Sequence, residues 1–184
     1  MTTFSLAVRQ DKRVALLGVV GFVLALAAAS QVAIPIPGTP VPFTLQPLLV
    51  VLAGMMLGPT LGASSMALYL VLGAAGVPVF APIGAVGIAR FAGPTGGYLL
   101  AYPAAAWIAG FVASRAASFS MRTAAACAGV AVLYVGGIAQ LTLLTGDLSR
   151  AVLLGVIPFA LLDVAKAVIA AAVTRSNRSA TLRA

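Results

Sequence analysis

The feature that most constrains this chain is a succession of long apolar runs, separated only by short stretches rich in Gly, Pro and basic residues. We read six such runs, with approximate bounds 14–33, 44–58, 61–76, 96–114, 123–144 and 151–174. A membrane-spanning helix needs about 20 predominantly apolar residues, and tilting accommodates helices of other lengths. The pattern therefore predicts an all-α integral membrane protein, a single-domain bundle of six transmembrane helices.

Composition excludes the main soluble alternatives. Only 8% of the residues are charged and 62% are hydrophobic, whereas soluble domains carry about 25% charged residues. The net charge of +8 does not indicate a nucleic-acid partner, because the basic residues lie between apolar runs and form no continuous face. With no His and a single Cys, we expect neither a metal site with N and S ligands nor any other cofactor. Membrane lipid is the expected surrounding.

The basic residues also predict an orientation. Placing the N-terminus inside leaves only Arg90 and Arg150 on the outer face, as expected if cytoplasmic loops carry the excess of Lys and Arg. We therefore expect both termini in the cytoplasm and a multi-pass protein of the cytoplasmic membrane. The residues placed inside are Arg9, Lys12, Arg13, Arg115, Arg122, Arg175, Arg178 and Arg183.

Two outward loops, 34–43 and 77–95, are rich in Gly and Pro and poor in charge. Long irregular loops in compact proteins are often lids or binding loops. We expect them to cover an outward-facing pocket, and the alternative is that they are passive connectors.

The most informative residues are Asp163 and Lys166 within the sixth run. A charge near the bilayer centre costs roughly 2.5–3.5 kcal/mol, so two charges require a reason. Their spacing of three residues places both on one helix face, and Pro158 frees a backbone carbonyl toward the same region. We predict a polar anchor for a ligand. The alternative is an ion pair that only locks the bundle, and catalysis fits less well because no second acid or nucleophile accompanies Asp163.

Three further polar residues are candidates. Arg90, in the second outward loop, has the geometry to hold a carboxylate by two hydrogen bonds, although a solvated or headgroup-facing arginine is an equal alternative. Thr44 and Gln46, near the start of the second run, either line a pocket or bond a neighbouring helix.

Small residues recur every four positions in the first run, at Gly21, Ala25 and Ala29. Such a ladder allows another helix to approach closely, as in small-xxx-small packing. From the sequence, the ladder is either a docking surface for a partner or a packing surface within the chain.

Several motifs together carry a family resemblance. They are PVPFTLQP (40–47), LAGMMLGPTLG (52–62), YLVLGAAGVPVF (69–80), GPTGGYL (93–99) and the Asp163/Lys166 pair. In this order, over about residues 21–173, they resemble the BioY family, the biotin-specific S-components of energy-coupling factor (ECF) transporters. The resemblance implies a six-helix S-component fold with an extracellular pocket capped by loops.

It also implies a function. The expected role is high-affinity biotin uptake, together with two cytosolic ATPases and a transmembrane coupling protein, which would dock on the small-residue ladder. Asp163 would accept from a ureido N–H, and Arg90 would meet the carboxylate tail. Lys166 would either donate to the ureido carbonyl or hold Asp163 ionised. Phe80, Phe91 and Tyr98 would form apolar walls.

Three rival functions remain at this stage. They are an S-component for another vitamin, a small intramembrane enzyme, and a structural subunit that oligomerises through its small-residue faces. The chain has no nucleotide-binding loop of the Gly-x-x-x-x-Gly-Lys-Ser/Thr type, so we expect partners to supply the energy.

Overall fold

The computed structural model describes residues 11–179, with side chains over 11–174. Four of the arginines placed inside lie outside the described part: Arg9 and Arg183 entirely, and Arg175 and Arg178 with their side chains. Over the described residues the chain is helical, with no strand and one isolated β-bridge between Ile34 and Phe43. The predicted all-α class is therefore confirmed for this part of the chain.

Seven α-helices occur in the described range. They are α1 (Lys12–Ser30), α2 (Gln46–Leu57), α3 (Pro59–Ala74), α4 (Gly96–Ala113), α5 (Phe119–Thr145), α6 (Leu148–Gly155) and α7 (Ala160–Ser179), and a 3₁₀ helix (Gly87–Ala92) lies between α3 and α4.

Three helices, α1, α4 and α5, are long and apolar enough to cross a membrane. The pair α6 and α7 qualifies as a fourth span if taken together, although its two parts are bent by 53°. Helices α2 and α3 have 12 and 16 residues and are shorter than a bilayer requires for an untilted helix. The described part thus contains three candidate spans, or four with the bent pair.

The predicted sixth run, 151–174, is two helices and not one. In a continuous helix the N–H of residue 158 would donate to the carbonyl of Leu154. Pro158 has no N–H, so this carbonyl has no helical partner. The N–H of Phe159 bonds the Val156 carbonyl at 3.0 Å, which leaves the Gly155 carbonyl free as well. The helix therefore stops at Gly155 and restarts at Ala160 in a new direction.

Two of the three acidic residues are helix caps. Asp11 accepts from the N–H of Arg13 at 2.8 Å, and Asp147 accepts from the N–H groups of Ser149 and Arg150 at 2.8 and 3.2 Å. A carboxylate at an N-cap satisfies amides that have no partner within the helix. Of the acids in this chain, only Asp163 is left for a site.

The helices approach each other through glycine. A Cβ on Gly54 of α2 would overlap the carbonyl of Ala106 on α4, and a Cβ on Gly97 of α4 would overlap the carbonyl of Gly136 on α5. Close backbone approach of this kind is how apolar helices pack when burial from water contributes little. It packs α4 against both α2 and α5, and α5 in turn packs against α7.

Candidate ligand-binding site

A cavity of about 70 Å³ lies between the two outward loops, α4, α5 and the break between α6 and α7. Seven of the eight ligand-binding residues proposed from the sequence line it: Asp163, Lys166, Arg90, Tyr98, Phe80, Thr44 and Gln46. The eighth, Phe91, lies behind the wall and packs edge-on against Phe80, with ring centroids 5.8 Å apart. Phe91 supports the wall and does not form it.

Asp163 and Lys166 form a closed polar network at one end of the cavity. Both are buried, and Lys166 Nζ lies 2.7 Å from Asp163 Oδ1. The same ammonium donates to the backbone carbonyl of Thr44 at 2.8 Å and lies 4.2 Å from the centroid of the Phe43 ring. Tyr134 donates from its phenol to Asp163 Oδ2 at 2.7 Å. Buried charges are tolerated when they are paired and hydrogen-bonded, and both conditions hold here.

The break between α6 and α7 connects this network to the first outward loop. Thr39 Oγ1 donates to the Leu154 carbonyl at 2.7 Å, and Tyr98 Oη donates to the Gly155 carbonyl at 2.7 Å. Both acceptors are carbonyls that the break leaves without a helical partner. The free carbonyl predicted near Pro158 is therefore present. It is that of Leu154, and its hydrogen bond with Thr39 holds the first outward loop.

The first outward loop, 34–43, is closed at its base. Ile34 and Phe43 exchange backbone hydrogen bonds of 2.9 and 2.8 Å. Beyond this bridge, Val41 and Pro42 line the cavity. The loop is thus fastened at its base by the bridge and near its tip by Thr39, and it covers part of the cavity.

Arg90 lies in the 3₁₀ helix of the second outward loop and is only 5% exposed. Its guanidinium donates to the carbonyl of Ile83 and, at 3.4 Å, to that of Ala85, while its Nε has no partner among the residues that the structure describes. No acidic residue of the described chain pairs with it. Burial lowers the pKa of Arg90, but arginine remains protonated in proteins. The cavity therefore carries an unneutralised positive charge at this point.

Gln46 and Thr44 support an aromatic layer beneath the cavity. Gln46 Nε2 donates to Tyr69 Oη at 3.0 Å, and Tyr69 in turn donates to the Val79 carbonyl at 2.9 Å. Thr44 Oγ1 donates to Gln46 Oε1 at 3.3 Å. The Tyr69 ring meets Phe80 edge-on at 5.4 Å. The amide and hydroxyl therefore hold the wall residues as well as facing the cavity.

A family model described as the BioY family matches residues 4–183, nearly the whole chain. The chain belongs to the BioY family. The resemblance inferred from the motifs is confirmed, and a chain of this family with several apolar helices is a membrane protein.

Two relatives of similar sequence agree with this assignment. The chain is 39% identical over 138 residues to the biotin transporter BioY of Thermotoga maritima, covering 75% of this chain and 81% of the relative. It is 40% identical over 146 residues to the probable biotin transporter BioY of Pyrococcus horikoshii, covering 79% of this chain and 85% of the relative. None of these names describes an enzyme.

A solved structure is also similar. The crystal structure of the S-component for biotin from an ECF-type ABC transporter matches with a TM-score of 0.83 and 26% identity, over 91% of this chain and 92% of that one. The S-component fold expected from the motifs is therefore confirmed.

Sequence reasoning on this BioY-family chain missed most of its tyrosines. The chain has four, and three of them, Tyr98, Tyr102 and Tyr134, line the cavity while Tyr69 lies directly beneath it. Only Tyr98 was proposed. A signal was present, because a phenol inside an apolar helix needs a hydrogen-bond partner and tends to mark a polar site.

The small-residue ladder of α1 faces away from the cavity. Gly21 and Ala25 are exposed and Ala29 is half-buried. A Cβ built on Gly21 would meet no atom within 4 Å, in contrast to Gly54 and Gly97. A shallow apolar groove along α1 is lined by Val14, Leu17, Gly18, Gly21, Phe22 and Ala25. Gly21 and Ala25 thus leave space that no other helix of the described chain fills.

Proposed function

We propose that this BioY-family chain binds biotin in the cavity and carries it across the cytoplasmic membrane as the substrate-binding subunit of an ECF-type transporter. One observation supports this above all: a neutral hydrogen-bonding pair and an arginine without an acidic partner share one apolar cavity. Biotin has the complementary chemistry, since its ureido ring is neutral and its tail ends in a carboxylate.

The pair suits one edge of a ureido ring. Along such an edge a carbonyl acceptor stands next to an N–H donor, and Asp163 and Lys166 offer an acceptor and a donor 2.7 Å apart. A carboxylate has about four lone-pair sites, and the described contacts of Asp163 use two of them. Asp163 would accept from the ureido N–H, and Lys166 would donate to the ureido carbonyl.

Arg90 would hold the carboxylate tail. Its buried guanidinium keeps an unpartnered Nε–H, and hydrogen bonds between guanidinium and carboxylate are among the strongest in proteins. Phe80 and Tyr98 would enclose the apolar rings and chain, with Phe91 supporting Phe80. Thr44 and Gln46 would act mainly through Lys166 and Tyr69, the groups that they hold.

Equilibrium dialysis of the purified chain against labelled biotin, riboflavin and thiamine tests the proposal. We expect saturable binding of biotin alone. Binding of a different vitamin would make this an S-component with another substrate, and binding of none would overturn the proposed function altogether.

The energy for transport would come from a transmembrane coupling protein and two cytosolic ATPases. The ladder Gly21, Ala25 and Ala29 is our proposed docking surface, because its free face allows a second helix to approach closely. Replacing Ala25 and Ala29 together by Leu should abolish uptake in cells and leave biotin binding to the isolated chain intact. Ala28→Leu, at an exposed position off the ladder, is the matched control. Equal loss of binding and uptake would assign the ladder to internal packing.

We further propose six spans, formed by α1, α2, α3, α4, α5 and the bent pair α6–α7, with both termini in the cytoplasm. The distribution of Lys and Arg supports this orientation. In a Cys127→Ala background, an impermeant thiol reagent added outside should label Ser149→Cys and not Ser114→Cys. Labelling of Ser114→Cys from outside would contradict the topology.

A further inference from the structure

Tyr134 of α5 differs from the other tyrosines around the cavity in the partner of its phenol. Tyr69 and Tyr98 donate to backbone carbonyls, those of Val79 and Gly155. Tyr134 donates to a charged side chain, Asp163, at 2.7 Å. Hydrogen bonds to ionised groups are shorter and roughly twice as strong as those between neutral groups.

The two oxygens of Asp163 have separate partners. Oδ1 contacts Lys166, and Oδ2 contacts Tyr134. No other hydrogen bond to Oδ2 occurs among the described residues. The terminal torsion of an aspartate is broad, so a single contact does not fix the plane of its carboxylate. Two contacts from different directions do, because Lys166 lies on the same helix and Tyr134 on a helix packed against it.

We infer that Tyr134 is a positioning residue for ligand binding. Its phenol holds the Asp163 carboxylate in the plane that keeps Oδ1 on Lys166 and leaves the remaining lone pairs directed at the cavity. This inference deepens the proposed function and rests on it, since it assumes that Asp163 contacts the ligand. It assigns Tyr134 no direct ligand contact.

Tyr134→Phe tests the inference, because it removes one oxygen atom and keeps the ring. We expect the affinity for biotin, measured by titration calorimetry, to fall about tenfold, as loss of a hydrogen bond to a charged group predicts. Ser65→Ala is the matched control, because it removes a buried hydroxyl that does not line the cavity and that donates to a neutral carbonyl, that of Val19. We expect it to weaken binding by no more than about threefold. Thermal unfolding of the ligand-free variants checks that the fold is retained.

A double-mutant cycle separates positioning from a general structural role. If Tyr134 acts through Asp163, adding Tyr134→Phe to Asp163→Asn should cause little further loss of affinity. Additive losses would overturn the inference, and so would unchanged affinity in Tyr134→Phe. The proposed function has its own outcome, since it fails if the unsubstituted chain does not bind biotin, whereas the inference alone fails if that chain binds and the Phe variant binds equally well.

Discussion

The two polar ends of the cavity differ in whether their charges are neutralised. At one end, Asp163 and Lys166 neutralise each other, and the pair is also hydrogen-bonded to Tyr134 and to the carbonyl of Thr44. At the other end, Arg90 has carbonyl partners, but among the described residues it has no acidic partner and its Nε has no partner of any kind. Under the proposed function, a neutral end and a cationic end together would select for a ligand with a neutral head and an anionic tail, and they would set the direction in which it lies.

The two ends also differ in how they are held. Asp163 and Lys166 lie on α7 and are braced by α5 and by the base of the first loop. Arg90 lies on a short 3₁₀ helix and is held by carbonyls of its own loop. Helices hold side chains more precisely than loops do. We therefore expect the Asp163 end to contribute specificity through fixed geometry, and the Arg90 end to contribute mainly charge.

Asp163→Asn should produce the largest effect, because it removes the negative charge that pairs with Lys166 and accepts from Tyr134. We expect the affinity for biotin to fall about ten- to a hundredfold, the range for a hydrogen bond to a charged group. Titration calorimetry on the folded variant measures it. Asp147→Asn is the matched control, since Asp147 caps α6 outside the cavity and Asn is an equally good cap. Wild-type affinity in Asp163→Asn would reduce the pair to a structural ion pair.

Arg90→Gln should have a smaller effect that depends on the charge of the ligand. We expect about tenfold weaker binding of biotin and nearly unchanged binding of biotin amide, whose tail carries no charge. The exposed Arg150 on the same predicted face provides the control Arg150→Gln, which should alter neither ligand's affinity. Equal losses for biotin and its amide would show that Arg90 supports the cavity wall and does not bind the carboxylate.

Gly84→Ala should have the smallest effect and acts on Arg90 indirectly. Gly84 has a φ of +96°, and a Cβ there would lie 2.9 Å from an Arg90 terminal nitrogen. We expect biotin affinity to fall by about two- to fivefold, less than 1 kcal/mol, as Arg90 shifts. Gly146→Ala is the control, because Gly146 has a φ of +71° and its Cβ would contact nothing within 4 Å. Loss of affinity in both variants would point to backbone strain and away from Arg90.

The charged members of the site were predictable from the sequence, because a charge in an apolar run is expensive and demands a reason. Phe91 was proposed as a wall residue and lies one layer behind, against Phe80. Neighbouring loop residues share the same composition, so their pattern does not reveal which of them reaches the cavity. The ladder on α1 was equally open to docking and to internal packing, and only its exposure in the structure favours docking.

The sequence by itself determined the all-α membrane class, the pairing of Asp163 with Lys166 and a disturbed backbone near Pro158, because each follows from apolar runs or from residues within one helical turn. Only the tertiary structure decided which groups contact the Asp163/Lys166 pair and which groups bond the carbonyls at the break between α6 and α7. Tyr134 is 29 residues from Asp163, and Thr39 is 115 residues from Leu154. Contacts across such separations depend on how helices and loops pack, through close approaches such as Gly97 against Gly136, and no local pattern encodes them.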